Sequence, residues 1–165
     1  MDHLKITTAP PTAESIQHLL ADFDRYLAEL HPAESGYGLK VDALQSPNIR
    51  FVFVENEDGV VACGAVRLDD DFAEIKRMYV VPEMRRKGVA RRLLQHLESA
   101  TASAGRSAVR LETSTAQPEA IALYEGAGFG RIDAFPPYQP DPRSVFMEKP
   151  VAPADQGFGR AGSFP

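Results

Sequence analysis

The densest chemistry in this 165-residue chain sits in one short stretch, EMRRKGVARRLL, residues 83–94. Arg85, Arg86, Lys87, Arg91 and Arg92 crowd around Gly88 in a chain whose formal net charge is −5. The chain as a whole is therefore not built to bind a nucleic acid or an anionic membrane surface, and the cluster needs a local anion. It stands where a strand gives way to a helix. A helix start leaves several backbone N–H groups without partners and carries partial positive charge. A glycine there lets an anion approach the main chain closely. The stretch suits a pyrophosphate or a similar group. It is neither a G-x-x-x-x-G-K-[ST] loop nor a G-x-G-x-x-G fingerprint. Taken alone, the hexamer RRKGVA fits a solvated helix start equally well.

The flanking pattern defines what must position this turn. HLKITTA (3–9) alternates apolar and polar residues as a strand does. PTAESIQHLLADFDRYLAEL (11–30) carries Ile16, Leu19, Leu20, Phe23, Leu27 and Leu30 at helical spacing, with Thr12 as its cap. Residues 31–47 are irregular, punctuated by Pro and Gly, and read as a loop over a substrate site. RFVFVENEDGVVACGAVRL (50–68) is a hairpin with Asp58-Gly59 at its tight turn. FAEIKRMYVV (72–81) is a third strand, ended by Pro82, and alternation puts Phe72, Glu74, Lys76, Met78 and Val80 on one face. A helix follows over 88–104, then the strand SAVRLET (107–113) and a helix opened by Pro118 and closed near Gly128. FGRIDAF (129–135) and RSVFMEK (143–149) form a closing antiparallel pair.

This order predicts an α/β fold, with a mixed and mostly antiparallel sheet of about six or seven strands. Residues 1–149 read as a single domain and 150–165, rich in Pro and Gly, as a flexible tail. The one cysteine, Cys63, excludes an internal disulfide, supplies no metal set and reads as a buried structural thiol. No metal is expected. The absence of a signal peptide or a spanning apolar run leaves the cytoplasm as the expected location.

Two blocks carry a resemblance. MYVVPEMRRKGVARRLL follows the pattern [QR]-x-x-G-x-[GA] placed after a strand ending in V-P, and ETSTAQPEAIALYEGAGF ends in L-Y-x-x-x-G-F. In this order and spacing they resemble the GCN5-related N-acetyltransferase (GNAT) superfamily over roughly residues 50–148. The segments ELHPAESGYG and PPYQPDPRSVFMEK are similar to a bacterial subgroup of small-molecule acetyltransferases. The resemblance implies the GNAT fold, with helices on both faces of the sheet, and acetyl-CoA as co-substrate.

Site residues follow from the resemblance position by position. Arg85, Arg86, Lys87, Gly88, Val89 and Ala90 would form the pyrophosphate loop, with Arg86, Lys87 and Arg91 meeting phosphates; Arg92 is left open between that role and a solvent-facing one. Met78, Tyr79 and Val80 would pair by main chain with the pantetheine arm. Glu74 stands, relative to Arg85, where histone-acetylating relatives carry their catalytic Glu, which implies a general base; the alternatives are a strand Glu paired with Lys76 or Arg110, and a water chain in place of a dedicated base, as in many relatives. Tyr124 aligns with the tyrosine that many members place near the acetyl-CoA sulfur, which implies a general acid; its ring can also serve the core. Many relatives carry an Asn after the fifth strand that touches the cofactor; here Gln117 or Thr115 would stand in.

The acceptor side is less defined. His31, Glu34, Tyr37, Tyr138 and Asp141 lie in irregular segments that would frame it, and acidic residues there suit a cationic amine. Tyr37 and Tyr138 are taken as substrate-binding. The expected activity is acetyl transfer to a small-molecule amine by direct attack in a ternary complex. A protein or peptide acceptor and a non-catalytic acetyl-CoA sensor are the alternatives. Neither nucleic acid nor membrane is an expected partner, and a homodimer fits the resemblance.

Overall fold

The computed structural model describes residues 3–8, 14–30 and 46–152. The proposed cap Thr12, the segment with His31, Glu34 and Tyr37, and residues 153–165 of the tail lie outside the described residues. In chain order the elements are β1 (Lys5–Thr8), α1 (Glu14–Leu30), β2 (Ile49–Asn56), β3 (Gly59–Leu68), β4 (Phe72–Val80), a 3-10 turn (Pro82–Met84), α2 (Val89–Ser103), β5 (Ala108–Ser114), α3 (Pro118–Gly126), β6 (Gly130–Ile132) and β7 (Ser144–Pro150). Among the described residues seven strands form one sheet in the order β1-β2-β3-β4-β5-β7-β6. All neighbours run antiparallel except β4 and β5. β7 inserts between β5 and β6, so the closing pair is antiparallel as its sequence implied.

Two details of the strands differ from the sequence pattern. At the hairpin, Asn56 pairs with Gly59, which puts Glu57 and Asp58 at the apex and makes Gly59 the first residue of β3. The Asn56 side chain stabilises this apex by accepting the Asp58 N–H at 2.8 Å. The second difference lies in β4. Cys63 pairs with Tyr79 and Ala65 with Lys76, so the single residue Gly64 opposes both Arg77 and Met78. This is a β-bulge, and Arg77 adopts a left-handed φ of 56° to make it. The bulge resets the alternation. Glu74 and Lys76 stay on one face, while Met78 and Val80 join Ala73 and Ile75 in the core on the other.

The two faces have different covers. Leu93, Leu94 and Leu97 of α2 and Tyr124 of α3 pack with Val52, Val54, Ala62, Val66, Ile75 and Leu111. On the other face Leu19, Leu20 and Phe23 of α1 pack with Phe51, Cys63, Ala65 and Tyr79. The Arg77 guanidinium pins α1 to the bulge, meeting Asp24 at 2.5 Å and lying over the Phe23 ring at 5.7 Å. Cys63 is the buried thiol expected of it; it donates to the Arg77 carbonyl at 3.3 Å, and burial pushes its pKa up to about 12.

Gly64 is required by packing. A Cβ there would lie 3.1 Å from Leu97 Cδ1, 3.3 Å from Met78 Sδ and 3.4 Å from Leu93 Cδ2. Leu93 and Leu97 are fully buried and have nowhere to move. Gly64→Ala should therefore destabilise the fold by about 1–3 kcal/mol, as overpacked cores do. Urea unfolding followed by circular dichroism checks this; an unchanged midpoint would show that the core yields at the bulge.

Candidate active site

The site begins with a pairing that stops. β4 and β5 pair only at Phe72–Ala108, Ala73–Val109 and Glu74–Arg110. Beyond Glu74 the strands diverge, and β5 continues against β7 on its other side. Both the β4 edge from Ile75 and the β5 edge from Leu111 lose their mutual ladder. Backbone polar groups need partners, so an extended chain laid into the gap can supply them, as an added strand does. The gap opens into a cavity of about 1220 Å³ lined by Ile75 to Val80 on one side and Leu111 to Ser114 on the other. Met78, Tyr79 and Val80 all line it.

One end of the cavity is the basic turn. Arg86 has a left-handed φ of 64° and Gly88 one of 82°, and Gly88 precedes the first residue of α2. The first hydrogen bond of α2 runs from the Arg92 N–H to the Gly88 carbonyl at 3.1 Å. The N–H groups of Val89, Ala90 and Arg91 therefore have no acceptor within the helix. No heavy atom lies within 4 Å of where a Gly88 Cβ would stand, so the main chain is open to an anion. Arg85, Arg86, Gly88, Ala90 and Arg91 line the cavity. The side chain of Arg85 is otherwise engaged: its Nε donates to the Val80 carbonyl at 2.9 Å and its guanidinium lies over Tyr26 and Tyr79. The side chain of Val89 is buried in the core, which leaves only its amide for a ligand. Lys87 and Arg92 are exposed and do not line the cavity. Across the gap, a Cβ on Gly126 of α3 would meet Arg91 Nη2 at 3.2 Å, so that glycine gives the guanidinium room.

α3 supplies the other wall. Tyr124 is buried, its ring edge-on to Phe129 with centroids 5.5 Å apart. Among the described residues its hydroxyl has no protein hydrogen-bond partner, although it lines the cavity. Burial raises its pKa above the ordinary phenol range, so the group stays protonated and is available as a donor. Gln117 caps α3 from the cavity side, with Thr113 Oγ1 at 3.5 Å from its Oε1.

The remaining wall is polar. Glu74 is 1% exposed. Its carboxylate meets Arg67 at 2.9 Å and Lys76 at 3.0 Å, and accepts the Tyr138 hydroxyl. The partners are thus Lys76 and Arg67; Arg110 pairs with Glu148 instead, at 2.7 Å. Glu74 does not line the cavity, whereas Lys76 and Tyr138 do. Tyr138 comes from the β6–β7 connection, where Phe135 packs against Phe72, Tyr138 and Phe146. Burial and the nearby Glu74 carboxylate raise the Tyr138 pKa. Asp141 and Arg143 of the same connection pair at 3.0 Å.

The residue that the sequence reading missed is Glu112. It lines the cavity from β5, accepts the Ser144 hydroxyl at 2.8 Å, and its pKa is raised chiefly by burial. The signal was present in VRLET, where Arg110 and Glu112 alternate with the buried Val109, Leu111 and Thr113. Among the described residues, no group of three or more His, Cys, Asp or Glu could hold a metal, and no helix is long and apolar enough to cross a membrane.

A strand gap beside an open helix start can take an extended chain along the gap and an anion at the turn. Comparison with known proteins gives the class. Residues 13–129 match the acetyltransferase (GNAT) family, and the chain belongs to that family of acetyl-CoA-dependent N-acetyltransferases. It is 41% identical over 153 residues to an IAA acetyltransferase of Azospirillum brasilense, covering 92% of this chain and 100% of that protein. The crystal structure of a putative acyl-CoA N-acyltransferase from Klebsiella pneumoniae is 35% identical, with a TM-score of 0.76 over 90% of this chain and 97% of that one. The N-acetyltransferase PaiA of Thermoplasma acidophilum, solved in complex with coenzyme A, shares the fold at 17% identity, with a TM-score of 0.72 over 90% and 99% of the two chains.

Arg86→Ala and Arg91→Ala should each weaken coenzyme A binding about tenfold, the worth of one hydrogen bond to a charged group. Calorimetric titration with coenzyme A measures this, and the loss should shrink as salt is raised. Unchanged affinity in both variants would leave the amides alone as the anion site.

Proposed function

We propose that the protein transfers the acetyl group of acetyl-CoA directly to the amine of a small molecule held in the same cavity. The observation that carries this reading is the opening of one cavity onto both the basic turn and the polar wall of Lys76, Glu112, Tyr138 and Ser144. Donor and acceptor can then meet without a covalent enzyme intermediate. The similarity to an IAA acetyltransferase supports a small acceptor.

The residues divide the work. Amides of Val89, Ala90 and Arg91 with the side chains of Arg86 and Arg91 hold the pyrophosphate, with Gly88 keeping the approach clear. The exposed Lys87 contributes charge at the mouth. Main-chain groups of Met78, Tyr79 and Val80 take the pantetheine arm, and Gln117 lies beside it. Tyr124 gives its proton to the departing thiolate. Glu74, with its carboxylate engaged by Arg67, Lys76 and Tyr138, anchors the acceptor wall from beneath. Tyr138 forms part of that wall.

The test is thiol release from acetyl-CoA across a panel of small amines and of peptides with free N-termini. Release with small amines is expected; activity confined to peptides would overturn the reading. In the same assay Tyr124→Phe keeps the ring and should lower kcat about 100-fold, with the KM for acetyl-CoA and the melting temperature unchanged. A wild-type rate in that variant removes Tyr124 from the chemistry.

A further inference from the structure

Lys76 is nearly buried, its side chain 9% exposed. An ammonium carries three donors. One meets Glu74 Oε2 at 3.0 Å and a second meets the Tyr138 hydroxyl at 2.6 Å. Among the described residues the third has no protein acceptor, and Lys76 lines the cavity. A buried charged donor without an acceptor is costly, so the position calls for a ligand oxygen.

Glu112 faces the same space from the opposite strand. Ser144 satisfies its Oε2, and its other oxygen has no protein donor among the described residues. No ion pair links Glu112 to Lys76. Lys76 and Glu112 thus flank the gap between β4 and β5, near enough for the ammonium to favour the carboxylate but without direct contact. The other charged groups around Glu112 are Glu74 on β4 and Asp141 in the β6–β7 connection, the latter engaged by Arg143. A ligand that bridges the gap must offer one acceptor and one donor of opposite charge.

We propose that the acceptor is an amino acid whose carboxylate takes the third N–H of Lys76 and whose ammonium gives its proton to Glu112. This rests on the acetyl-transfer reading above. Loss of that proton frees the nitrogen lone pair, which forms a C–N bond to the thioester carbonyl carbon. The C–S bond then breaks and Tyr124 protonates the sulfur. The second ammonium proton leaves as the amide forms and, through solvent, replaces the one that Tyr124 gave up. Amino acid and acetyl-CoA thus become N-acetylamino acid and coenzyme A with release of one proton. Glu112 must be ionised to act, so kcat/KM rises with pH through its pKa. Burial puts that limb above the ordinary carboxylate range.

The experiment measures thiol release for the twenty common L-amino acids, each beside its carboxamide, and for carboxylate-free amines. A carboxamide keeps the α-amine, replaces the carboxylate by a neutral group and lowers the amine pKa, so each pair is compared through its full pH profile of kcat/KM. At least one amino acid should exceed its carboxamide about tenfold or more in kcat/KM, the worth of a charged hydrogen bond. Lys76→Gln should raise the KM for that amino acid more than for its carboxamide and so erase the preference. Glu112→Gln should lower kcat for acid and carboxamide alike and flatten the acidic limb. Carboxamides or other amines used as well as the acids by the wild-type protein would overturn the inference alone. So would a preference that survives Lys76→Gln. Silence from every amine would overturn the transfer reading and this inference with it. The wild-type preference is measured without any variant, so misfolding of a variant does not protect the claim.

Discussion

Everything at this site depends on β4 and β5 running parallel for only three residue pairs. A parallel pair inside a mixed sheet would ordinarily continue its ladder. Here the ladder ends at Glu74, and β4 goes on into the bulge at Arg77, which Gly64 faces across the sheet and the Asp24 ion pair ties to α1. Two strand edges are left with backbone groups that need partners, in a part of the sheet otherwise covered by helices. β7 pairs with the far edge of β5, so the edge that faces β4 beyond Arg110 stays open. A ligand with the hydrogen-bonding habit of a strand completes it.

The two ends of the gap then take on different chemistry for separate reasons. Near the start of α2, free amides and the open Gly88 leave the main chain open to an anion. Among the described residues, the two non-glycine residues with left-handed backbones, Arg77 and Arg86, stand at the bulge and at this turn. Such conformations persist where surrounding structure enforces them. On the opposite face, the β6–β7 connection lays an aromatic cover of Phe135 and Tyr138 over β4, β5 and β7. That cover turns a polar sheet face into a lined chamber, and it ties the acceptor wall to Glu74 through Tyr138.

The elements were largely legible in the sequence. Periodicity located α2 and all the strands but β6 to within about two residues, β6 ends three residues short of the expected stretch, and the two-block pattern gave the family. The bulge was not legible, because strict alternation carries Met78 and Val80 to the Glu74 face. Gly64, amid the β-branched and small residues of GVVACGAVRL, was its trace, since a glycine inside a strand often marks a bulge. Glu74 drew attention through its register with Arg85, yet its three partners come from β3, from β4 and from a connection sixty residues on, which no local pattern reveals. Glu112 escaped for the converse reason. Its sequence marks only a strand, and it is the fold that brings the 133–143 connection and Ser144 over it.

The measurement that bears most directly on this account is a crystal structure of the protein with coenzyme A. The account predicts diphosphate oxygens within hydrogen-bond distance of the Val89, Ala90 and Arg91 amides. It predicts the pantetheine arm along the β4 edge from Met78 to Val80, and the sulfur beside the Tyr124 hydroxyl. Coenzyme A bound with its diphosphate away from the start of α2, or with the β4–β5 gap left open beside it, would contradict it.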